Sequence, residues 1–181
     1  MFLLIARFFF TLTGWKVKGS VSPALDQYIM TVAPHTSNWD FFIGLAARSI
    51  LKIDTKYVAK KELFRFPFGW IFTKLGGYPV DRSKNTNFVD AVAELFKTNK
   101  RFSIAFTPEG TRSYAPRWKT GFYYIAIKAN IPIVMVSFNY ATRTVTVEPP
   151  FFPSGNFESD MKLMMDHYRK VPGKFPHKGV I

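Results

Sequence analysis

The stretch YIMTVAPHTSNWDFFIGLAARSIL, residues 28–51, decides the fold of this chain. Residues 28–33 are mostly apolar and predict a buried strand, which ends at Pro34. Residues 39–51 then predict a helix that begins just after a short polar loop. A strand joined to a helix in this way is the unit from which α/β domains are built.

The same alternation of short apolar segments and amphipathic segments continues along the chain. Further strands are predicted at 56–59, 78–80, 102–107, 131–138 and 143–147, and further helices at 88–96, 121–129 and 161–168. Strands separated by helices favour a parallel arrangement. The prediction is therefore an α/β fold: a single layered domain with a mostly parallel central sheet flanked by helices.

The overall composition fits one globular domain and excludes some chemistry. The chain has 181 residues, of which 48% are hydrophobic, enough for one substantial core. Cysteine is absent, which excludes disulfides, thiolate metal sites and a cysteine nucleophile. A catalytic role would therefore have to use other side chains.

The charge of the chain points to an anionic partner. Lys and Arg number 25 against 12 Asp and Glu, a formal net charge of +13. Such a surface attracts nucleic acid or an anionic membrane face. The 20 phenylalanines favour lipid, and no nucleic-acid-binding motif is present in the sequence. We therefore expect an anionic membrane surface as partner and no nucleic acid.

The amino terminus supports the lipid interpretation. Residues 1–15 are almost wholly apolar, interrupted by Arg7, and two lysines follow closely. The segment is shorter than the roughly 20 residues that span a bilayer, and it lacks the pattern of a signal peptide. We predict a membrane-docking helix within residues 1–20 and the main domain over residues 21–181. The alternative is a helix buried in the core.

Three polar clusters follow predicted strands, where the functional loops of α/β domains gather. They lie at residues 35–40, 77–82 and 107–112. In the first, His35 could meet Asp40 if the histidine lies in the loop and the aspartate in the first helical turn. A carboxylate on one ring nitrogen prepares the other to act as a general base. The alternative is a helix-capping residue with a hydrogen-bonded neighbour.

The second cluster, GGYPVDR, combines two glycines with a terminal arginine. The glycines allow the backbone to turn or to approach a ligand closely. Arg82 has a planar guanidinium that suits a phosphate group. The alternative is a plain surface turn.

The third cluster, FTPEGTRS, delivers four polar residues from the end of one apolar strand. Gly110 leaves backbone N–H groups able to point at an anion, while Thr111 and Arg112 add side-chain donors. Glu109 either bonds a substrate hydroxyl or holds Arg112 in place. This turn is a candidate binding site.

Together and in this order, the clusters resemble the glycerolipid acyltransferase family, whose members include the 1-acylglycerol-3-phosphate acyltransferases. The family's His-x4-Asp motif matches His35 to Asp40, and its Gly-x-x-x-x-Arg block matches Gly77 to Arg82. Its Pro-Glu-Gly-Thr-Arg-Ser motif is present unchanged from Pro108 to Ser113, and its apolar proline-containing strand matches residues 131–134. The resemblance covers about residues 28–138.

The resemblance implies transfer of a fatty acyl chain from acyl-CoA or acyl carrier protein to a lysophospholipid hydroxyl, with 1-acylglycerol-3-phosphate as the expected acceptor. It implies that His35 is the base and that Asp40 orients it. The glycerol-phosphate end of the acceptor would be bound by Arg82, Glu109, Gly110, Thr111 and Arg112.

No cofactor is expected beyond the acyl thioester co-substrate, and the three scattered histidines suggest no metal site. The expected location is the cytoplasmic face of the inner or plasma membrane. Three alternatives stay open: a transacylase that needs no coenzyme, an acyltransferase for another lipid acceptor, and a non-catalytic basic membrane-binding protein.

Overall fold

The computed structural model describes residues 2–80 and 88–180. The strands within these residues are β1 (Lys16–Lys18), β2 (Gln27–Val32), β3 (Lys56–Lys60), β4 (Gly77–Val80), β5 (Phe102–Phe106), β6 (Ile133–Asn139) and β7 (Thr144–Val147). They form one sheet in the order β1-β7-β6-β2-β5-β3-β4. Only β6 and β7 pair antiparallel among these strands, so the prediction of a mostly parallel sheet is confirmed.

Helices cover both faces of this sheet. They are α1 (Phe2–Thr13), α2 (Trp39–Leu51), α3 (Gly69–Lys74), α4 (Phe88–Thr98), α5 (Gly121–Ala129) and α6 (Phe157–Arg169), with 3₁₀ turns at Lys61–Phe64 and Pro176–Lys178. Buried side chains of α4, α5 and α6 share one core cluster, and those of α1 and α2 share the other. The predicted layered α/β domain is therefore confirmed.

The central strand β2 contributes to both core clusters. Successive side chains of a strand point to opposite faces, and here Ile29 lies in the cluster with α4, α5 and α6 while Met30 lies in the cluster with α1 and α2. Both are buried. A central parallel strand is covered on both sides, which explains its nearly continuous apolar sequence.

Helix α1 is amphipathic, so it combines features of both interpretations of the amino terminus. Ala6 and Phe10 are buried in the cluster with α2. The opposite face leaves four large apolar side chains exposed: Leu4, Ile5, Phe8 and Leu12. Just after the helix, β1 pairs with β7 at the edge of the sheet. The division at residue 20 and membrane docking by this helix stay predictions.

None of the helices in the described parts of the chain combines the length and the apolar character needed to cross a membrane.

The topology brings three loops to one edge of the sheet. Strand β2 lies between β5 and β6 and is parallel to both. In these registers Thr31 pairs with Phe106 and Val32 pairs with Val136, so the loops that follow β2, β5 and β6 leave side by side. The first and third polar clusters therefore meet, as expected at the carboxyl ends of parallel strands.

Candidate active site

The predicted His35–Asp40 pair is formed. His35 lies in the loop after β2, Asp40 lies in the first turn of α2, and His35 Nδ1 is 3.1 Å from Asp40 Oδ2. The carboxylate is almost fully buried, whereas the imidazole is about 20% exposed. A buried carboxylate on one ring nitrogen and a partly open ring is the arrangement that general-base chemistry requires.

The backbone of the loop explains why residues five apart can meet. Asp40 Oδ2 accepts hydrogen bonds from the amides of Thr36 and Ser37, each 2.9 Å long. These bonds turn the loop back over the start of α2. They also offset part of the free-energy cost of burying the carboxylate charge. The same carboxylate therefore folds the loop and contacts His35.

Tyr140 is a member of the site that the sequence did not reveal. It follows β6, and its hydroxyl donates a 2.5 Å hydrogen bond to Asp40 Oδ1. Burial raises the pKa of Tyr140, and the hydrogen bond and negative charge of Asp40 raise it further, against a smaller opposing effect of Ser37. The phenol therefore stays protonated and donates to the carboxylate.

Glu109 lies behind the histidine loop. Its Oε1 accepts a 2.8 Å hydrogen bond from the backbone amide of His35, while its Oε2 is buried with no hydrogen-bond partner among the described residues. Burial raises the pKa of Glu109, and the His35 amide partly opposes that effect. Glu109 thus fixes the backbone of the histidine, while its contact with a substrate hydroxyl stays a prediction.

The rest of the third cluster lies beside the pair. Gly110 has a φ of +66°, and a Cβ there would lie 3.2 Å from Lys119 Cγ, so glycine suits this turn. Arg112 is exposed and donates to the side chain of Asn38, just before α2. Gly110, Thr111 and Arg112 line the same cavity as His35 and Asp40. These three predicted positions are thus brought together with the pair, and Glu109 contacts the His35 amide from inside the fold.

The second cluster has a different local role. Gly77 begins β4, and a Cβ there would lie 2.8 Å from the ring of Phe64 and from the carbonyl oxygen of Phe72. Close packing therefore requires this glycine, which the sequence attributed to a turn or a ligand. Arg82 lies outside the described residues, and its role in phosphate binding stays a prediction.

A largely apolar cavity of about 980 Å³ extends from the His35–Asp40 pair, at the upper end of the range for ligand pockets. Its lining includes residues from Asn38 to Leu51, so it runs along α2 for about 20 Å at 1.5 Å per residue. The apolar walls come from α2, β3, α3 and β6, and include Phe41, Leu45, Val58, Ile71, Phe72, Leu75 and Phe138. Such a space suits an extended hydrocarbon chain.

Within the described residues, no three His, Asp or Glu side chains are grouped so that they could hold a metal ion.

Comparison with known proteins places these features in a family. The sequence model of the acyltransferase family matches residues 15–139. The 1-acyl-sn-glycerol-3-phosphate acyltransferase of Saccharomyces cerevisiae is 35% identical over an alignment of 149 residues that covers 77% of this chain and 48% of that protein. The Escherichia coli protein of the same name is 32% identical over an alignment of 145 residues that covers 75% of this chain and 58% of that protein. The chain thus spans about half the length of the curated relatives that it matches.

A solved structure shares the fold. The 1-acyl-sn-glycerophosphate (LPA) acyltransferase PlsC from Thermotoga maritima superposes with a TM-score of 0.66 at 21% identity, over 92% of this chain and 75% of that one. All four motif blocks, from His35 to residue 134, fall inside the matched family region. The chain belongs to the acyltransferase family.

Proposed function

We propose that this protein transfers a fatty acyl group from an acyl thioester to the free hydroxyl of 1-acylglycerol-3-phosphate, in phospholipid biosynthesis. The thioester is acyl-CoA or acyl carrier protein. The observation that carries the proposal is the His35–Asp40 pair at the end of a long apolar cavity. The names of the relatives from yeast and Escherichia coli support the choice of acceptor.

The chemistry follows from the geometry of the pair. Asp40 holds Nδ1 of His35, which leaves Nε2 to take the proton of the acceptor hydroxyl. The acceptor oxygen then attacks the thioester carbonyl, the tetrahedral intermediate collapses and the C–S bond breaks. The departing thiolate takes the proton from the imidazolium, and a new ester is formed. Asp40 fixes the tautomer and stabilises the imidazolium in between.

The cavity is the site for an acyl chain. The lipid tails of one leaflet span half of a hydrocarbon core of about 30 Å, or roughly 15 Å. The cavity follows α2 for about 20 Å. An extended tail therefore fits along α2 with its carbonyl carbon near His35.

The acceptor phosphate binds on the polar side of the cavity mouth. Arg112 is exposed there, and its bond to Asn38 places the guanidinium beside the first turn of α2. Gly110 and Thr111 line the mouth next to it. A phosphate held at this turn positions the acceptor hydroxyl near the base, and Arg82 is the second predicted contact.

An anionic membrane surface is the proposed docking partner. Phe8 and Leu12 are 68% and 72% exposed on one face of α1, and the exposed cations Lys16 and Lys18 follow at once. Apolar side chains beside basic ones suit the interface of an anionic bilayer. A second group of exposed apolar side chains lies at the start of α3 and just before it: Phe66, Phe68 and Trp70.

Co-sedimentation with vesicles tests this docking. Leu12→Glu is expected to reduce binding to vesicles of phosphatidylglycerol and phosphatidylcholine. Leu163→Glu adds the same charge at an exposed leucine of α6 and is expected to leave binding unchanged. Equal binding of both variants and the wild type would rule out docking by α1.

Thiol release tests the acyl transfer. Wild-type protein in detergent is expected to release CoA from palmitoyl-CoA only when 1-acylglycerol-3-phosphate is present. His35→Ala is expected to lose this activity while staying folded, and His177→Ala, at an exposed histidine, is expected to retain it. Equal rates for His35→Ala and the wild type would refute the assignment of the base. Acyl transfer between lipids without any thioester would instead indicate a transacylase.

A further inference from the structure

Tyr140 occupies a special place at the edge of the sheet where the polar loops meet. It directly follows β6, which pairs with β2 in parallel, so it emerges beside the loop that carries His35. The family region that the chain matches ends one residue earlier, at position 139. None of the family motifs in the sequence includes this residue.

The two oxygens of the Asp40 carboxylate have different environments. Oδ2 is hydrogen-bonded to Nδ1 of His35 and accepts hydrogen bonds from the backbone amides of Thr36 and Ser37. Oδ1 accepts a 2.5 Å hydrogen bond from the hydroxyl of Tyr140. Tyr140 is therefore the contact that fixes the far oxygen and, with it, the plane of the carboxylate.

Two distant parts of the chain hold Tyr140 in place. Trp15 meets its ring edge to face, with centroids 5.0 Å apart and an interplanar angle of 89°. The Tyr140 amide donates a 3.0 Å hydrogen bond to the carbonyl oxygen of Pro172. Both the ring and the backbone are thus anchored, so that the hydroxyl is aimed at Asp40 before any substrate binds.

We propose that Tyr140 is a positioning residue that holds the Asp40 carboxylate and shares its negative charge with His35. The proposal rests on the acyl transfer proposed above. A hydrogen bond to a carboxylate favours its ionised form and draws negative charge away from the oxygens. Without the phenol, the full negative charge of Asp40 would face His35, and Asp40 would stabilise the imidazolium more strongly.

Other ionisable groups near the pair come from two segments, the loop after β5 and the carboxyl-terminal segment, and none of them is altered by a change of Tyr140. Glu109, after β5, interacts electrostatically with both His35 and Asp40. Arg112 bonds Asn38 at the start of α2. In the carboxyl-terminal segment, Lys174 Nζ lies 5.3 Å from the ring centroid of Trp39. These charged side chains are the same in the wild type and in the Tyr140 variant, so a difference between the two proteins reports the loss of the phenol.

The experiment replaces Tyr140 with Phe and follows the histidine ring by ¹⁵N NMR as pH is varied. The chain has three histidines, so the His35 signals are assigned by their loss in His35→Ala. Tyr123→Phe is the matched control, because its hydroxyl also donates to a buried carboxylate, Asp160 at 2.8 Å, which belongs to a different hydrogen-bond cluster.

We expect the titration midpoint of His35 to rise by about 0.5–1 pH unit in Tyr140→Phe, and to stay constant in Tyr123→Phe. The acid limb of the kcat/KM profile for thiol release should move the same way, because only the neutral imidazole can accept the proton of the acceptor hydroxyl. A midpoint that is unchanged, or that falls, would overturn the proposal. The NMR measurement needs no substrate, so it gives its answer even if the proposed acyl transfer fails in the thiol-release assay.

Discussion

Replacing Glu109 with Gln gives a sharp test of how the site is built. Burial raises the pKa of Glu109, so the folded protein binds this proton more tightly than the unfolded chain does. The stability that follows is fully present below the ordinary glutamate pKa of 4.5 and is lost as pH rises through the raised value of the folded state. Gln does not titrate. The free energy of unfolding of Glu109→Gln, minus that of wild type, should therefore increase as pH rises through this range and level off above it.

The size of the change follows from the contacts. Oε2 is buried without a hydrogen-bond partner, and leaving a buried polar group unsatisfied costs about 1–3 kcal/mol, more when it is charged. Gln keeps the oxygen that accepts the His35 amide but carries no charge. We expect the difference in unfolding free energy to shift by about 1–3 kcal/mol in favour of Gln between about pH 4 and pH 8.

Urea unfolding followed by tryptophan fluorescence at several pH values measures this difference. Glu62→Gln, at an exposed position of the first 3₁₀ turn, is the control and should show little change with pH. A Glu109→Gln difference that is flat, or that decreases as pH rises, would refute the reasoning. Acyl transfer should survive Glu109→Gln, because the amide oxygen still accepts from His35, and should fall in Glu109→Ala.

Two further substitutions test the pair and the cavity. Asp40→Asn removes the charge that stabilises the imidazolium, so thiol release should fall by about 10³–10⁴-fold; a loss below about tenfold would contradict the role of Asp40. Gly44 lines the cavity, and a Cβ there would lie 3.5 Å from Phe138 Cζ, an ordinary contact. Gly44→Leu should therefore fold but occupy space for the acyl chain, raising the kcat/KM ratio of decanoyl-CoA to palmitoyl-CoA, whereas Gly44→Ala should change that ratio less. An unchanged ratio in Gly44→Leu would show that the chain binds elsewhere.

The central elements could be predicted because their signal is local. Strand β2 is apolar on both faces, which is what burial between two helical layers requires, and helix α2 was predicted with the limits that it has, Trp39–Leu51. Strand β1 was missed. Its sequence, Lys-Val-Lys, is too short to show a period, and its pairing with β7 joins residues more than 120 positions apart. Only the tertiary structure supplies that partner.

The same distinction applies to the site. His35 and Asp40 are five residues apart, and their meeting followed from one assumption about where the loop ends and the helix begins. Tyr140 lies 100 residues from Asp40 and carries no motif, so nothing in the local pattern marks it. The contact of Glu109 with the His35 amide could not be predicted either, because it joins residues 74 positions apart and depends on burial of the carboxyl.

Helix α2 connects the base, the proposed acyl site and the proposed membrane face. Its first turn carries Asp40, and seven of its residues between Phe41 and Leu51 line the cavity. One element therefore sets both the position of the carboxylate and the wall along which the proposed tail lies. Helix α1 packs against α2 through Ala6 and Phe10. Docking of the exposed face of α1 would therefore hold the cavity at a fixed depth relative to the lipid that it must receive.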